Sequence, residues 1–290
     1  MPSRPATGSS VRVRKGIGTA PGIRPLNDEQ VAGYLGRIGH HGSTRATAAT
    51  LRAIHAKHYR VVPFENLDLH LGRPIVLEPG ALYRKIVEAR RGGFCYELNG
   101  LFASLLLALG FDVSLLSCRV MLQDGRLSPE FDHLALLVRL RARWLADVGF
   151  GDALPAPIHL DVEDRQAAGR EAFRIRGSGS RRMLQRRDRR WIDLYQVGLK
   201  PRAIREFEPR CRWHETSPRS GFQRARIVTI PTRRGRVTVR GDRLIETVGG
   251  RRRERVLSGE EVAGLLGDRF GFRDTGLLDG VMSGRSSVAR

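Results

Sequence analysis

Along the first third of the chain, apolar positions recur at helical spacing. Val31, Tyr34 and Leu35 fall on one face of a helix starting near Glu29, and Asn27 or Asp28 stands where a cap would satisfy its first free amides. A second helix is expected over 47–58, where Leu51, Ile54 and His55 share a face, and Pro63 then turns the chain extended. Leu82, Ile86 and Val87 place a third helical stretch over 82–90, which Gly92 and Gly93 break. Helical spacing resumes over 96–109 through Leu98, Leu101, Phe102, Leu105, Leu106 and Leu109, and Gly110 ends it. Cys95 therefore stands at or just before a helix N-terminus.

Beyond Gly110 the pattern changes to short strand-like runs at 113–120, 133–138 and 144–148, the signature of a small sheet or barrel. Further strands are expected at 227–230, 237–239 and 244–248, before a terminal helix near 260–266. Helices first and strands second make an α+β chain. Residues 1–24 are rich in Ser, Pro, Gly and basic residues without apolar periodicity, and read as a disordered basic extension.

Composition narrows the class. With 290 residues, 41% hydrophobic and 28% charged, the chain matches folded globular usage and excludes bulk disorder. Three cysteines, Cys95, Cys118 and Cys211, form no CxxC pair, which argues against a disulfide framework or a zinc site. No stretch is apolar enough for a signal peptide or a bilayer span, so a cytoplasmic protein without a membrane partner is expected. The formal net charge of +21 favours anionic partners and is silent about fold. Its dense runs at 181–190 and 251–255 lack interleaved aromatics, so no nucleic-acid partner is expected.

A thiol becomes a nucleophile where a helix N-terminus and a nearby imidazole favour its ionised form. A buried core thiol is the ordinary explanation for a lone cysteine, but the two glycines before Cys95 permit a tight turn and close substrate approach. His133 is the histidine inside an apolar strand. If 133–138 and 142–148 form a hairpin turning about Leu140, positions whose numbers sum to 280 face each other, which sets Asp147 opposite His133. Asp132 points to the other face and Asp152 lies past the strand end. Cys118 and Cys211 lack a matching base and read as structural. His55 and His58, at i and i+3, lack the further ligand that a metal would need, and no metal is expected.

These residues carry a resemblance. Residues 91–99, Arg-Gly-Gly-Phe-Cys-Tyr-Glu-Leu-Asn, resemble the nucleophile motif of the arylamine N-acetyltransferases, and 62–67, Val-Pro-Phe-Glu-Asn-Leu, resemble their upstream motif. Residues 131–134, Phe-Asp-His-Leu, and 146–151, Ala-Asp-Val-Gly-Phe-Gly, resemble the segments that hold the family's histidine and aspartate. The resemblance spans about residues 28–272 and thins after Gly151. It implies a helical bundle over 25–110, a central β-barrel over 111–205 and a C-terminal α/β lid over 206–290, around a cysteine-protease-like triad of Cys95, His133 and Asp147. Glu65 and Arg91 resemble the family's ionic pair beneath the nucleophile.

The same resemblance assigns Gly149, Gly151, Trp213, Thr216 and Ser217 to the coenzyme A cleft, and Phe64, Phe150 and Phe222 to the acceptor pocket. Arg219 departs from the smaller polar residue that many members carry there. Acetyl-CoA is implied as cosubstrate, without a tightly bound cofactor, and a small aromatic amine or hydrazine as acceptor. Transfer would be ping-pong through a Cys95 thioester. The alternative within the same triad is an amide synthase that releases a polyketide as a lactam from an acyl carrier. A papain-like or transglutaminase-like hydrolase also uses Cys, His and Asp, but the segments at 91–99 and 147–151 favour the acetyltransferases.

Overall fold

A computed structural model describes residues 21–152 and 154–273. The extension expected over 1–24 lies outside the described residues as far as position 20. From there Ile23 is buried, and the Pro21 carbonyl accepts a hydrogen bond from the Ile204 amide. The end of the expected lid, residues 274–290, also lies outside the described residues.

Five helices form the N-terminal part: α1 (Asp28–Arg37), α2 (Ala48–Val61), α3 (Leu67–His70), α4 (Pro79–Tyr83) and α5 (Cys95–Ala108). Asn27 caps α1 in a reciprocal box with Gln30, and Thr47 caps α2. The stretch expected as one helix over 82–90 divides in two. Pro79 starts α4, and a π-helical turn, Arg84–Glu88, follows, with Ile86 and Val87 buried. Every residue of α5 except Leu107 is buried. A helix apolar on all sides has to be enclosed on all sides.

The enclosing layer is an eight-stranded antiparallel sheet: β2 (Asp112–Val120), β3 (His133–Arg139), β4 (Arg143–Ala146), β5 (Ile158–His159), β6 (Gln166–Ala168), β7 (Glu171–Arg176), β8 (Arg181–Arg187) and β9 (Trp191–Arg202), preceded in the chain by β1 (Phe64–Glu65). Its order is β5-β4-β3-β2-β9-β8-β7-β6. The sheet curls until its edges nearly meet. The Gln166 side chain bridges them, accepting from the His159 amide at 2.7 Å and donating to its carbonyl at 2.8 Å. Alternation along β3 divides two cores: Leu134, Leu136 and Val138 pack toward α5, while Ala135 and Leu137 face the barrel interior with Phe173, Leu184, Tyr195 and Val197.

A turn of 3-10 helix (Ile204–Phe207) leads to α6 (Glu208–Thr216) and α7 (Gly221–Arg224). Then come β10 (Ile227–Thr232), β11 (Gly235–Arg240), β12 (Arg243–Val248), β13 (Arg251–Val256) and α8 (Gly259–Asp268). The second sheet has the order β1-β10-β11-β12-β13, so a strand from the helical region forms its edge. Helical bundle, barrel-like sheet and C-terminal α/β layer together make the expected α+β architecture. Among the described residues no helix is long and apolar enough to cross a membrane.

Candidate active site

Cys95 opens α5, and Glu97 steadies that end by accepting the Phe94 amide proton at 3.1 Å. His133 opens β3, and Asp147 follows the end of β4. The hairpin differs from the expected one. Leu136 pairs with Ala146 and Arg139 with Arg143, so paired numbers sum to 282, the turn centres on Arg141, and Asp147 lies opposite Ala135 rather than His133. A slip of two residues leaves side chains on the same face. Asp147 therefore reaches His133 diagonally, and His133 Nε2 donates to Asp147 Oδ2 at 2.8 Å. The ring's other nitrogen is left for Cys95, whose side chain is near enough to help raise the His133 pKa.

Asp147 is fully buried, and four donors surround its carboxylate. Oδ2 accepts from His133 and from the Tyr195 hydroxyl at 2.7 Å. Oδ1 accepts from Asn99 Nδ2 and from the Gly149 amide, both at 2.9 Å. Burial alone would raise the carboxyl's pKa, but His133, Asn99 and Tyr195 hold it down at about 2. Burial opposes a charged His133 as well, yet Asp147 and then Cys95 raise the ring to about 10. At neutral pH the imidazole holds its proton.

Behind this group, the Asp147 amide donates to His55 Nε2 at 3.2 Å, and His58 Nδ1 meets the Tyr34 hydroxyl at 2.6 Å. Burial lowers His55 to about 4 and keeps it a neutral acceptor. His133 Nε2 bonds Asp147, while Asp132 binds Arg210 and His214, and Asp152 binds Arg186 and Arg236 at the surface. Burial raises the thiols of both Cys118 and Cys211.

Under the nucleophile the expected Glu65–Arg91 pair belongs to a larger cluster. Arg91 donates to Glu65 Oε1 at 2.8 Å and to Asp68 Oδ1 at 2.5 Å, while Lys85 reaches Asp68 at 2.7 Å and Glu97 at 2.6 Å. Three carboxylates thus share two cations. The imbalance shows at Glu97, which burial and the neighbouring carboxylates raise to about 7 despite Lys85.

The remaining expected residues divide. A Cβ on Gly149 would lie 2.8 Å from Cys95 Cα and 2.7 Å from Asn99 Nδ2, so only glycine fits there. Gly151 has φ +81 and lies against the Phe64 ring. The Phe150 ring packs edge-on to His133 with centroids 5.1 Å apart, and Phe222 lies 5.7 Å from Phe94 and 6.0 Å from Phe64. Trp213, Thr216 and Ser217 stay with their own segment. Arg210 covers the Trp213 ring, Thr216 donates to the Arg212 carbonyl, and Ser217 accepts from the Arg219 amide.

Sequence reading missed Tyr195, Asn99, Asp68 and Lys85. Asn99 was within reach, four residues after Cys95 on one helix. Tyr195 was not, because its strand lies between arginine-rich runs that read as solvated surface.

Comparison with known proteins agrees with this geometry. A family model described as N-acetyltransferase matches residues 47–274. The arylamine N-acetyltransferase of Mycolicibacterium smegmatis is 38% identical over 259 residues, 86% of this chain and 94% of its own. That of Escherichia coli (strain K12) is 37% identical over 193 residues, 66% of this chain and 69% of its own. Among solved structures, the M. smegmatis arylamine N-acetyltransferase matches with a TM-score of 0.81 at 36% identity, covering 89% of this chain and 98% of that one. The Mycobacterium marinum arylamine N-acetyltransferase in complex with CoA matches with a TM-score of 0.82 at 30% identity, covering 90% and 100%. Sequence identity of 38% across nearly all of a relative, together with a shared fold, means common descent, and the chain belongs to the arylamine N-acetyltransferase family.

Proposed function

We propose that this acetyltransferase carries an acetyl group from acetyl-CoA to an arylamine or arylhydrazine, by a ping-pong route through a thioester on Cys95. One observation carries the reading: a buried Asp147 with four donors holds one nitrogen of the His133 ring and leaves the other for Cys95, close enough to act on the ring's pKa. In the first half-reaction His133 holds the proton taken from the Cys95 thiol, the resulting thiolate sulfur attacks the acetyl carbonyl, the bond to the coenzyme A sulfur breaks, and His133 passes that proton to the leaving sulfur. The now neutral His133 takes a proton from the amine as nitrogen attacks the thioester. It returns the proton to Cys95 when the carbon–sulfur bond breaks. Asp147 orients the ring and stabilises its charged state.

Gly149, Gly151, Trp213, Thr216 and Ser217 border the coenzyme A side in this reading, and the basic surface attracts the donor's phosphates. Phe64, Phe150 and Phe222 line the acceptor side. The M. marinum relative was solved with CoA, which supports the donor, and the relatives' names support the acceptor class. Incubation with acetyl-CoA alone, followed by intact mass, tests the scheme. A single adduct of about 42 Da, one acetyl group, is expected and should vanish in Cys95→Ala. An adduct that maps to Cys118 or Cys211 would overturn it.

A further inference from the structure

Two residues stand immediately before the reacting side chains, Phe94 before Cys95 and Asp132 before His133, and both meet one buried side chain, His214 of α6. His214 Nε2 lies 3.1 Å from Asp132 Oδ1, an atom that only accepts, so this nitrogen carries a proton. Nδ1 lies 2.9 Å from the Ser220 hydroxyl, and Ser220 Oγ in turn accepts the Phe222 amide proton at 3.2 Å. The His214 ring also packs against Phe222 at 5.1 Å, Tyr96 at 6.2 Å and Phe94 at 6.5 Å. From the other side, Asn66 and His70 hold the Phe222 carbonyl at 2.8 and 2.9 Å.

Asp132 is itself a firm anchor. Burial would raise its carboxyl, but His214 and Arg210 bring it to about 2, and Arg210 Nη2 lies 2.5 Å away. A chain of polar contacts therefore runs from the start of the His133 strand through His214 and Ser220 to Phe222, and the His214 ring packs beside both that phenyl group and Phe94, which themselves meet edge-on.

We infer that His214 is a positioning residue for the acceptor. Tied to Asp132 and Ser220, it fixes the distance of the Phe222 ring from Cys95 and so sets which aryl groups fit against the acyl-enzyme. The inference rests on the proposed acetyl transfer, with Phe222 as an acceptor wall. His214 has no bond to Cys95, His133 or Asp147, so it should act on the second half-reaction and leave the first almost alone. Removing the imidazole opens room beside Phe222 and cuts its link to Asp132. The one-ring acceptor then loses contact, while a two-ring acceptor gains space.

The experiment uses the full chain and separates the halves. Acetylation of Cys95 by acetyl-CoA is timed by intact mass, and deacetylation by aniline and by a naphthylamine is followed at saturating acetyl-CoA. In His214→Ala the first half should stay within about twofold, the KM for aniline should rise about tenfold, and the preference should move toward the naphthylamine. His214→Gln, which can still donate to Asp132, should recover most of the aniline KM. Ser220→Ala cuts the other end of the chain and should reproduce the KM change, which gives a second route if His214→Ala folds poorly. Wild-type protein that takes no acetyl group would overturn the proposed function and this inference with it. Wild-type protein that is acetylated, with His214→Ala and Ser220→Ala both at unchanged aniline KM and unchanged preference, would overturn the inference alone. So would equal slowing of both halves in either variant.

Discussion

Replacing Asp147 by Asn changes one atom and should remove most of the activity. All four donors around the carboxylate, from His133, Tyr195, Asn99 and Gly149, need an acceptor, and an amide offers only one oxygen. With the oxygen toward Asn99 and Gly149, the new NH2 group faces His133 Nε2. The ring can satisfy it only by moving its proton to the nitrogen on the Cys95 side. The charged ring also loses its support. Its pKa lies at about 10 against an ordinary 6.5, and a shift of that size corresponds to about 5 kcal/mol at 1.36 kcal/mol per unit. Since burial remains when the carboxylate is gone, the ring becomes neutral at pH 7. Acetylation of Cys95 by acetyl-CoA should slow by about 10³–10⁴-fold, measured by quenched-flow intact mass, with circular dichroism confirming the fold. Acetylation within about tenfold of wild type would refute the reasoning. A larger loss in Asp132→Asn than in Asp147→Asn would refute it too.

Gly149→Ala should be nearly inactive and less stable by about 1–3 kcal/mol, because its methyl would overlap Cys95 Cα and Asn99 Nδ2; wild-type melting and acetylation together would contradict this. Glu97 titrates at about 7 in the folded protein against 4.5 when free, so the folded state binds the extra proton and stability falls as pH rises through that window. The decline should be about 1–2 kcal/mol in urea unfolding between pH 5 and 6.5, below the window in which His133 titrates, and should be largely absent there in Glu97→Gln; equal slopes in the two proteins would exclude Glu97 as the source. His133 should contribute its stability fully below about pH 6.5 and lose it as pH climbs through about 10, a slope that Asp147→Asn should flatten; an unchanged slope would show that another group titrates. Rising salt should raise the KM for acetyl-CoA and leave the rate at saturating donor almost constant; an unmoved KM would detach the +21 charge from donor binding.

The elements with a clean period were legible. Asn27, Thr47 and Gly110 mark helix ends as the residue types require, and the apolar face over 96–109 led to α5 with Cys95 at its first position. Strand pairing was less legible, because alternation determines which face a residue takes but not how far one strand slides along another. For that reason Asp147 was assigned to the correct face and the correct hydrogen-bond partner but to the wrong cross-strand position. The strands between 158 and 202 were hidden for a different reason. In β8 only Leu184 is fully buried, and arginines occupy four of the other six positions, their stems covering the sheet while their charges reach water. Tyr195 and the Lys85–Asp68 contacts depend on long-range packing that no local pattern encodes.

The two residues of β1 bind in opposite directions. Phe64 and Glu65 pair with Thr229 and Val228 of the C-terminal sheet, and on their other side Phe64 bridges Gly93 while the Glu65 amide donates to its carbonyl at 2.9 Å. The strand works as a rivet through two plates. A hinge that swung the C-terminal sheet away as a rigid body would have to tear backbone hydrogen bonds two residues from the nucleophile, so substrates must pass by way of loops and side chains while the plates stay joined. The same rivet makes the parts interdependent in folding. A chain cut before β10 would leave Phe64 and Glu65 as a bare sheet edge, and the turn that presents Cys95 would lose the layer that braces it.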